Sequence, residues 1–181
     1  MGLAVGNRLI WLDLEMTGLD PDRDSILEIA TVVTDDTLEL VAEGPNIAIH
    51  QSEDVLRGMD EWSKDQHERS GLLERVRNSP HDCQAAEEKT LAFLSGHCSR
   101  EDSPLCGNSV LKDRQFLIRH MPRLDGFLHY RNIDVSTVKE LVRRWYPDVP
   151  VYTKQKVHLA LKDIMESISE LRYYRQRVFL K

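Results

Sequence analysis

Asp13 and Glu15 stand two residues apart in IWLDLEMTGLD, inside a run that otherwise reads as a buried strand. Side chains alternate along a strand, so both carboxylates point to one face, with Trp11 beside them. Buried like charges repel and resist desolvation, which makes the pair costly unless a cation or a proton offsets it. Two further acids occupy suggestive positions. Asp113 falls at a helix start behind the apparent strand SPLCGNSV, and Asp163 flanks the apolar stripe of the last helix. Four carboxylates are hard oxygen ligands of the kind that select Mg2+ or Mn2+, and two such ions about 3.5–4 Å apart can clamp both oxygens of a phosphodiester displacement. His158 lies five residues before Asp163. On a regular helix that is about 140° of rotation, so the two converge only if His158 sits on the loop leading in. A histidine with an ordinary pKa near about 6.5 can there take the proton of an attacking water. Singly these residues say little, since a lone Asp at a helix start more often serves the helix dipole.

The elements that must hold these groups follow from the pattern of apolar residues. After the first strand, TGLDPDRD has the composition of a turn, and ILEIATVV resumes as a β-branched strand, which predicts a hairpin. A third strand is expected at NIAIH, residues 46 to 50, beyond the Gly44-Pro45 break, followed by short helices from Glu53 to Asn78. Helical spacing recurs from Asp82 to His97, and a short strand ending at Gly107 leads into a helix from about Val110 to His120. HYRNIDV reads as one more strand. Ser136 is then placed to cap a helix that buries Val138, Leu141, Val142 and Trp145 and stops at Pro147. Leu161, Ile164, Ile168 and Leu171 form the apolar stripe of a long final helix. Strands first, then strands alternating with helices, predict an α/β domain with a mixed sheet.

At 181 residues without repeat or linker the chain is expected to form a single domain, 1–181, with 1–6 as a flexible N-terminus. Cys83, Cys98 and Cys106 form no CxxC pair and no zinc spacing, so they are expected to be reduced core thiols. The N-terminus has no secretory pattern, and no apolar run approaches a membrane span of about 20 residues. A soluble, cytoplasmic protein without membrane contact is expected. A net charge of −6 argues against general duplex binding, which relies on neutralising many phosphates, so any nucleic-acid partner should be short. The Arg143-Arg144 pair and the Arg172, Arg175, Arg177 group read as solvated helix faces.

DLEMTGLDPDRDSILEIA, CGNSVLKDRQFL, HYRNIDVSTVKELVRRWYP and HLALKDIMESISELRYYR, in that order over nearly the whole chain, resemble the oligoribonuclease family of the DEDDh 3′→5′ exonuclease superfamily. The resemblance implies a ribonuclease-H-like mixed β-sheet flanked by α-helices. It implies a homodimer that hydrolyses single-stranded RNA of about two to five nucleotides, dinucleotides especially, pGpG among the candidates, to 5′-mononucleotides with two divalent cations, Mg or Mn. Asp13, Glu15, Asp113 and Asp163 match the metal-binding acids, and His158 the general base. Leu19 matches a residue that wedges beside the bases, and Trp62 and His67 match residues lining the substrate pocket. Ser109, with Tyr130, Arg131, Ser136 and Thr137 of the other subunit, matches the groups that close around the 5′ phosphate. Aromatic faces stack on any base and Arg forks onto phosphate oxygens, so these roles suit the residue types.

One departure stands out: members commonly carry HxALDD at the last motif, and this chain carries HLALKD. Asp163 is retained, but Lys162 puts a cation beside it, with lower local metal affinity or altered surroundings as the expected effect. Two other readings remain open. One is a related exonuclease that trims longer single strands of RNA or DNA, distinguished by a substrate length series. The other is a catalytically idle binding or scaffold protein, excluded by metal-dependent turnover of any dinucleotide.

Overall fold

The structure is a computed structural model, and it describes residues 8–153 and 159–179. In chain order it comprises β1 (Arg8–Met16), β2 (Ile26–Asp35), β3 (Leu40–Ala48), α1 (Glu53–Arg57), α2 (Glu61–Arg69), α3 (Leu72–Asn78) and α4 (Cys83–Ser95). Then come β4 (Pro104–Gly107), α5 (Leu111–His120), α6 (Pro122–Asp125), β5 (His129–Asp134), α7 (Val135–Trp145) and α8 (Ala160–Tyr174), which runs into a wider π turn at Arg175–Phe179. The five strands form one mixed sheet in the order β3-β2-β1-β4-β5. β1 pairs antiparallel with β2 and parallel with β4, so the DLE strand sits at the centre.

Alternation along β1 decides what each face holds. Ile10, Leu12 and Leu14 turn towards α4 and α5 and pack with Ala86, Leu94, Phe116 and Leu117. Trp11 turns the other way, into a second core with Val142 of α7 and Ile164, Ile168 and Tyr174 of α8. Its indole N–H donates to Thr34 Oγ1 at 2.9 Å, so the buried ring carries no orphaned donor. Asp13 and Glu15 share Trp11's parity and therefore face α8. A smaller core of Leu27, Leu56, Leu72, Leu73 and Val76 seats the short helices against β2.

The expected mixed sheet, hairpin and helix order are all present, with three differences. β3 begins at Leu40 and runs through the Gly44-Pro45 break. Between the pairs Ala30↔Asn46 and Val32↔Glu43 it accommodates an extra residue as a bulge, an irregularity an edge strand tolerates. Gly44 is needed there because a Cβ would run into Thr31 and Phe93. The cap of α7 is Asp134, whose carboxylate accepts the Ser136 N–H, because buried Val135 starts the helix ahead of Ser136. Finally α7 buries Val142 but leaves Leu141 partly exposed and Trp145 66% exposed, since only one side of the helix meets the sheet.

Because α8 rests on the sheet through Ile164 and Ile168, truncation there should be costly. Ile168→Ala is expected to lower unfolding free energy by about 2–4 kcal/mol in a urea titration. Met165→Ala, on the exposed side of the same helix, should stay within about 0.5 kcal/mol.

Candidate active site

Asp13, Glu15 and Asp163 each bring a carboxylate oxygen to within 4.8 Å of the others. The first two come from the end of the central strand. The third comes from the first turn of α8, where the Asp163 N–H donates to Leu159 O at 3.0 Å and fixes the turn. Asp113 is buried in the first turn of α5, and its Oδ1 accepts the Leu14 N–H at 3.0 Å, which ties that helix to the DLE strand. It lies outside the trio but near enough to repel Glu15. Burial, then repulsion from Asp163, Glu28 and Asp113, pushes Glu15 up to about 8. Burial likewise pushes Asp113 up to about 7, against the hydrogen bond from Leu14. Carboxylates this crowded call for a positive charge among them. The donors are all oxygen, which fits a hard divalent cation better than zinc or copper.

Beside Glu15 opens a cleft of about 390 Å³ whose walls include Leu19, Trp62, Gln66 and His67. Leu19 and Trp62 are each 65% exposed, large apolar surfaces offered to the cleft from opposite chain segments. The Leu19 turn is tightly built. Asp24 accepts from Thr17 Oγ1 and from the Asp20 N–H, both at 2.9 Å, and a Cβ on Gly18 would lie 2.5 Å from the Asp24 carboxylate. His67 is buried. With a proton on Nε2 it donates to Met16 O at 3.0 Å, while Nδ1 lies 3.9 Å from Glu15 Oε2, so the cleft wall is fastened to the acid strand.

Ser109 and Ser136 also meet, their hydroxyls 3.1 Å apart within one chain. The resemblance gave Ser136 to the other subunit. The cis contact arises because Gly107 and Asp134 are partners at the ends of neighbouring parallel strands, so the turns leaving β4 and β5 lie side by side. Ser109 adopts φ 55, and Asp134 Oδ1 holds its N–H at 3.0 Å, a strained residue fixed by its neighbour. Thr137 is exposed on the next helical position, and Tyr130 and Arg131 are exposed on edge strand β5, the guanidinium stacked 5.3 Å from the ring centroid. His158 lies outside the described residues.

A family model described as an exonuclease matches residues 10–171. The chain is 60% identical over 174 residues to an oligoribonuclease of Pseudomonas aeruginosa, covering 96% of each sequence. It is 61% identical over 172 residues to one of Shewanella loihica, covering 94% of this chain and 95% of that one. The chain belongs to the oligoribonuclease family. Among solved structures, Escherichia coli exonuclease I in a zinc-bound complex with single-stranded DNA superposes with a TM-score of 0.75 at 13% identity, over 96% of this chain and 41% of that one. Exonuclease I of Methylocaldum szegediense gives 0.74 at 17%, over 95% and 41%. The chain thus spans about two-fifths of those longer proteins, with which it shares the ribonuclease-H-like exonuclease fold. Membership of an exonuclease family agrees with the carboxylate cluster in favouring divalent-metal use. No helix among the described residues is long and apolar enough to cross a membrane.

Two residues of this oligoribonuclease-family site escaped the sequence analysis. Glu28 is fully buried opposite Glu15. Its signal was the one that flagged Asp13 and Glu15, a charge inside an apolar strand, ILEIATVV. Lys112 donates from α5 to Leu19 O at 3.1 Å and holds the turn, a contact no sequence pattern announces.

Glu15 and Asp113 have folded-state pKa values near 8 and 7, above the ordinary 4.5 and 3.8. Between about pH 5 and 8 the metal-free folded protein therefore holds more protons than the unfolded chain, and stability falls as pH rises. The carboxylates with lowered pKa, such as Asp35 and Glu53, titrate below that window. In chelator, Tm should decline from about pH 5.5 to 8.5, Glu15→Gln should flatten the decline, and saturating Mn2+ should raise Tm most at the alkaline end. A metal-free Tm that is level or rises across this range would contradict the assignment.

Proposed function

We propose that this protein is a 3′→5′ exoribonuclease that hydrolyses RNA of about two to five nucleotides, dinucleotides above all, to 5′-mononucleotides. One observation carries the reading: in a member of the oligoribonuclease family, three carboxylates converge, and one of them, Glu15, lines a cleft that apolar and aromatic side chains also wall. Two divalent cations, Mg2+ or Mn2+, held by Asp13, Glu15, Asp163 and the second oxygen of Asp113, would supply Lewis acidity to the attacking and leaving oxygens. The 3′-terminal base enters the cleft, with Trp62 stacking on it and Leu19 wedging behind it. His158 takes a proton from the attacking water. The new bond forms from that oxygen to phosphorus, the bond from phosphorus to the 3′ oxygen breaks, and that oxygen leaves as a hydroxyl after protonation from solvent.

Short length follows from what grips the other end. The Ser109 and Ser136 hydroxyls, with Thr137, form a cradle for the 5′ phosphate in one chain, and the partner's Tyr130 and Arg131 complete it. The partly exposed apolar side chains of Leu141, Trp145 and Tyr146, along and just beyond α7, support a second copy as the occupant of this side of the molecule. A net charge of −6 suits a local pocket better than a basic track along many phosphates. Such a protein works in the cytoplasm, where short RNA fragments arise.

Asp13→Ala and Asp163→Ala should leave the circular dichroism spectrum unchanged and remove nearly all turnover in Mg2+ or Mn2+. A folded Asp13→Ala protein with a near-normal rate would sink the reading.

Across a series of 5′-labelled RNAs, the phosphorylated dinucleotide should turn over fastest. Arg131→Ala should raise its KM by about tenfold through loss of a charge-assisted contact, with little effect on the 5′-hydroxyl dinucleotide. Equal rates for two and ten nucleotides, or full activity in a proven monomer, would favour an enzyme that trims long strands.

A further inference from the structure

Glu28 is an expensive residue to keep. It is 0% exposed, it lies directly across the β1/β2 pair from Glu15, and its charge adds to the repulsion that Glu15 already feels. Opposite residues of an antiparallel pair share one face, so Glu28 looks towards α8 as Glu15 does.

Its two oxygens have distinct partners. Oε2 accepts the backbone N–H of Ala160 at 3.2 Å, and Oε1 lies 2.5 Å from Arg75 Nη1 of α3. Ala160 is the first residue of α8. The residue preceding it, Leu159, has no side-chain oxygen to cap the helix, so the first N–H finds its acceptor on another element, across the sheet. The same turn presents Asp163, whose N–H closes onto Leu159 O. An anion at a helix N-terminus also interacts favourably with the helix dipole, and the guanidinium of Arg75 offsets the charge that remains.

We propose that Glu28 is a positioning residue for the metal cluster: by capping α8 from β2, it fixes where Asp163 stands relative to Asp13 and Glu15. Arg75, paired with the other oxygen, holds the capping carboxylate in place. The inference rests on the reading of Asp13, Glu15 and Asp163 as cation ligands, and it adds a residue that touches neither cation nor substrate. Its effect should appear in metal affinity ahead of the chemistry at saturating metal, as for other groups that orient ligands from behind.

The test uses purified full-length protein and Mn2+ alone as the probe. Half-saturation is read from titration calorimetry and from the Mn2+-dependent rise in Tm, and separately from kcat against Mn2+ concentration. Glu28→Ala should weaken Mn2+ binding by about tenfold or more, with much of the rate recovered at high Mn2+. Glu28→Gln keeps an oxygen for the Ala160 N–H and should stay within about threefold of the parent, a rescue that a simple need for buried charge does not predict. Arg75→Met, which leaves the cap in place, should fall between the two. The proposal is overturned if folded Glu28→Ala binds Mn2+ as the parent does. It is equally overturned if Glu28→Gln loses as much as Glu28→Ala. Should Glu28→Ala fail to fold, Glu28→Gln decides: Mn2+ binding within about threefold of the parent supports the cap, and a loss of about tenfold or more overturns it. Absence of any Mn2+ effect on the parent protein would instead reject the ligand assignment, and the positioning role with it.

Discussion

Glu15 sits largely buried with Asp163, Glu28 and Asp113 as neighbours, and their mutual repulsion is the constraint around which this fold is arranged. A flexible chain would relieve it by moving the carboxylates apart. Here that route is closed, because the acids come from the central strand, from its neighbour β2 and from helices packed on the two faces of the sheet. Asp113 is fastened to Leu14 N–H from below, and Asp163 is set by the first turn of α8 from above. The apolar cores on either side hold the backbone rigid, and the charge at the end of β1 is left to be balanced by something that arrives from outside. That is how stability in the cores becomes cation affinity at the site.

The same logic extends to the cleft beside Glu15. α5 acts as a splint along the turn that carries Leu19. Lys112 donates to Leu19 O, Arg119 pairs with Asp22 at 3.1 Å, and His120, protonated on Nε2, donates to Pro21 O at 2.9 Å. Asp113 belongs to the same helix, so an acid of the cluster and the exposed Leu19 are positioned by one rigid body. A surface ion pair such as Arg119 with Asp22 contributes little alone. Its value lies in acting with two hydrogen bonds to backbone carbonyls on a turn already closed by Asp24.

Much of this was legible in the chain because burial and charge conflict visibly in a sequence. Asp13 and Glu15 announced themselves as acids in an apolar strand, Asp113 as an acid at a helix start, and Asp163 as an acid beside the apolar stripe of the last helix. Glu28 gave the same signal and was passed over because ILEIATVV satisfied a strand pattern without it. Other features depend on geometry that no local pattern carries. Trp145 fits an apolar helical stripe, yet α7 meets the sheet along a narrower line than the stripe suggested. Ser109 and Ser136 are far apart in sequence, and only the pairing of Gly107 with Asp134 brings their hydroxyls together. Pro45 reads as a strand boundary, but on an edge strand its missing N–H leaves no bond unmade.

The lysine at the last motif can be weighed in the same terms. A cation in the first turn of a helix opposes the dipole, and Lys162 stands there next to Asp163. Lys162 is exposed, however, so its charge is well solvated and screened over about 10 Å. The turn is held by groups that do not involve it: Glu28 on the Ala160 N–H, Leu159 O on the Asp163 N–H, and Ser167 Oγ, which donates to Asp163 O at 2.7 Å. Asp163 is thus placed by its backbone, and a neighbouring side chain that points into water can change sign without moving it. What Lys162 alters is the local potential, and that weakens attraction for a cation far less than a displaced carboxylate would.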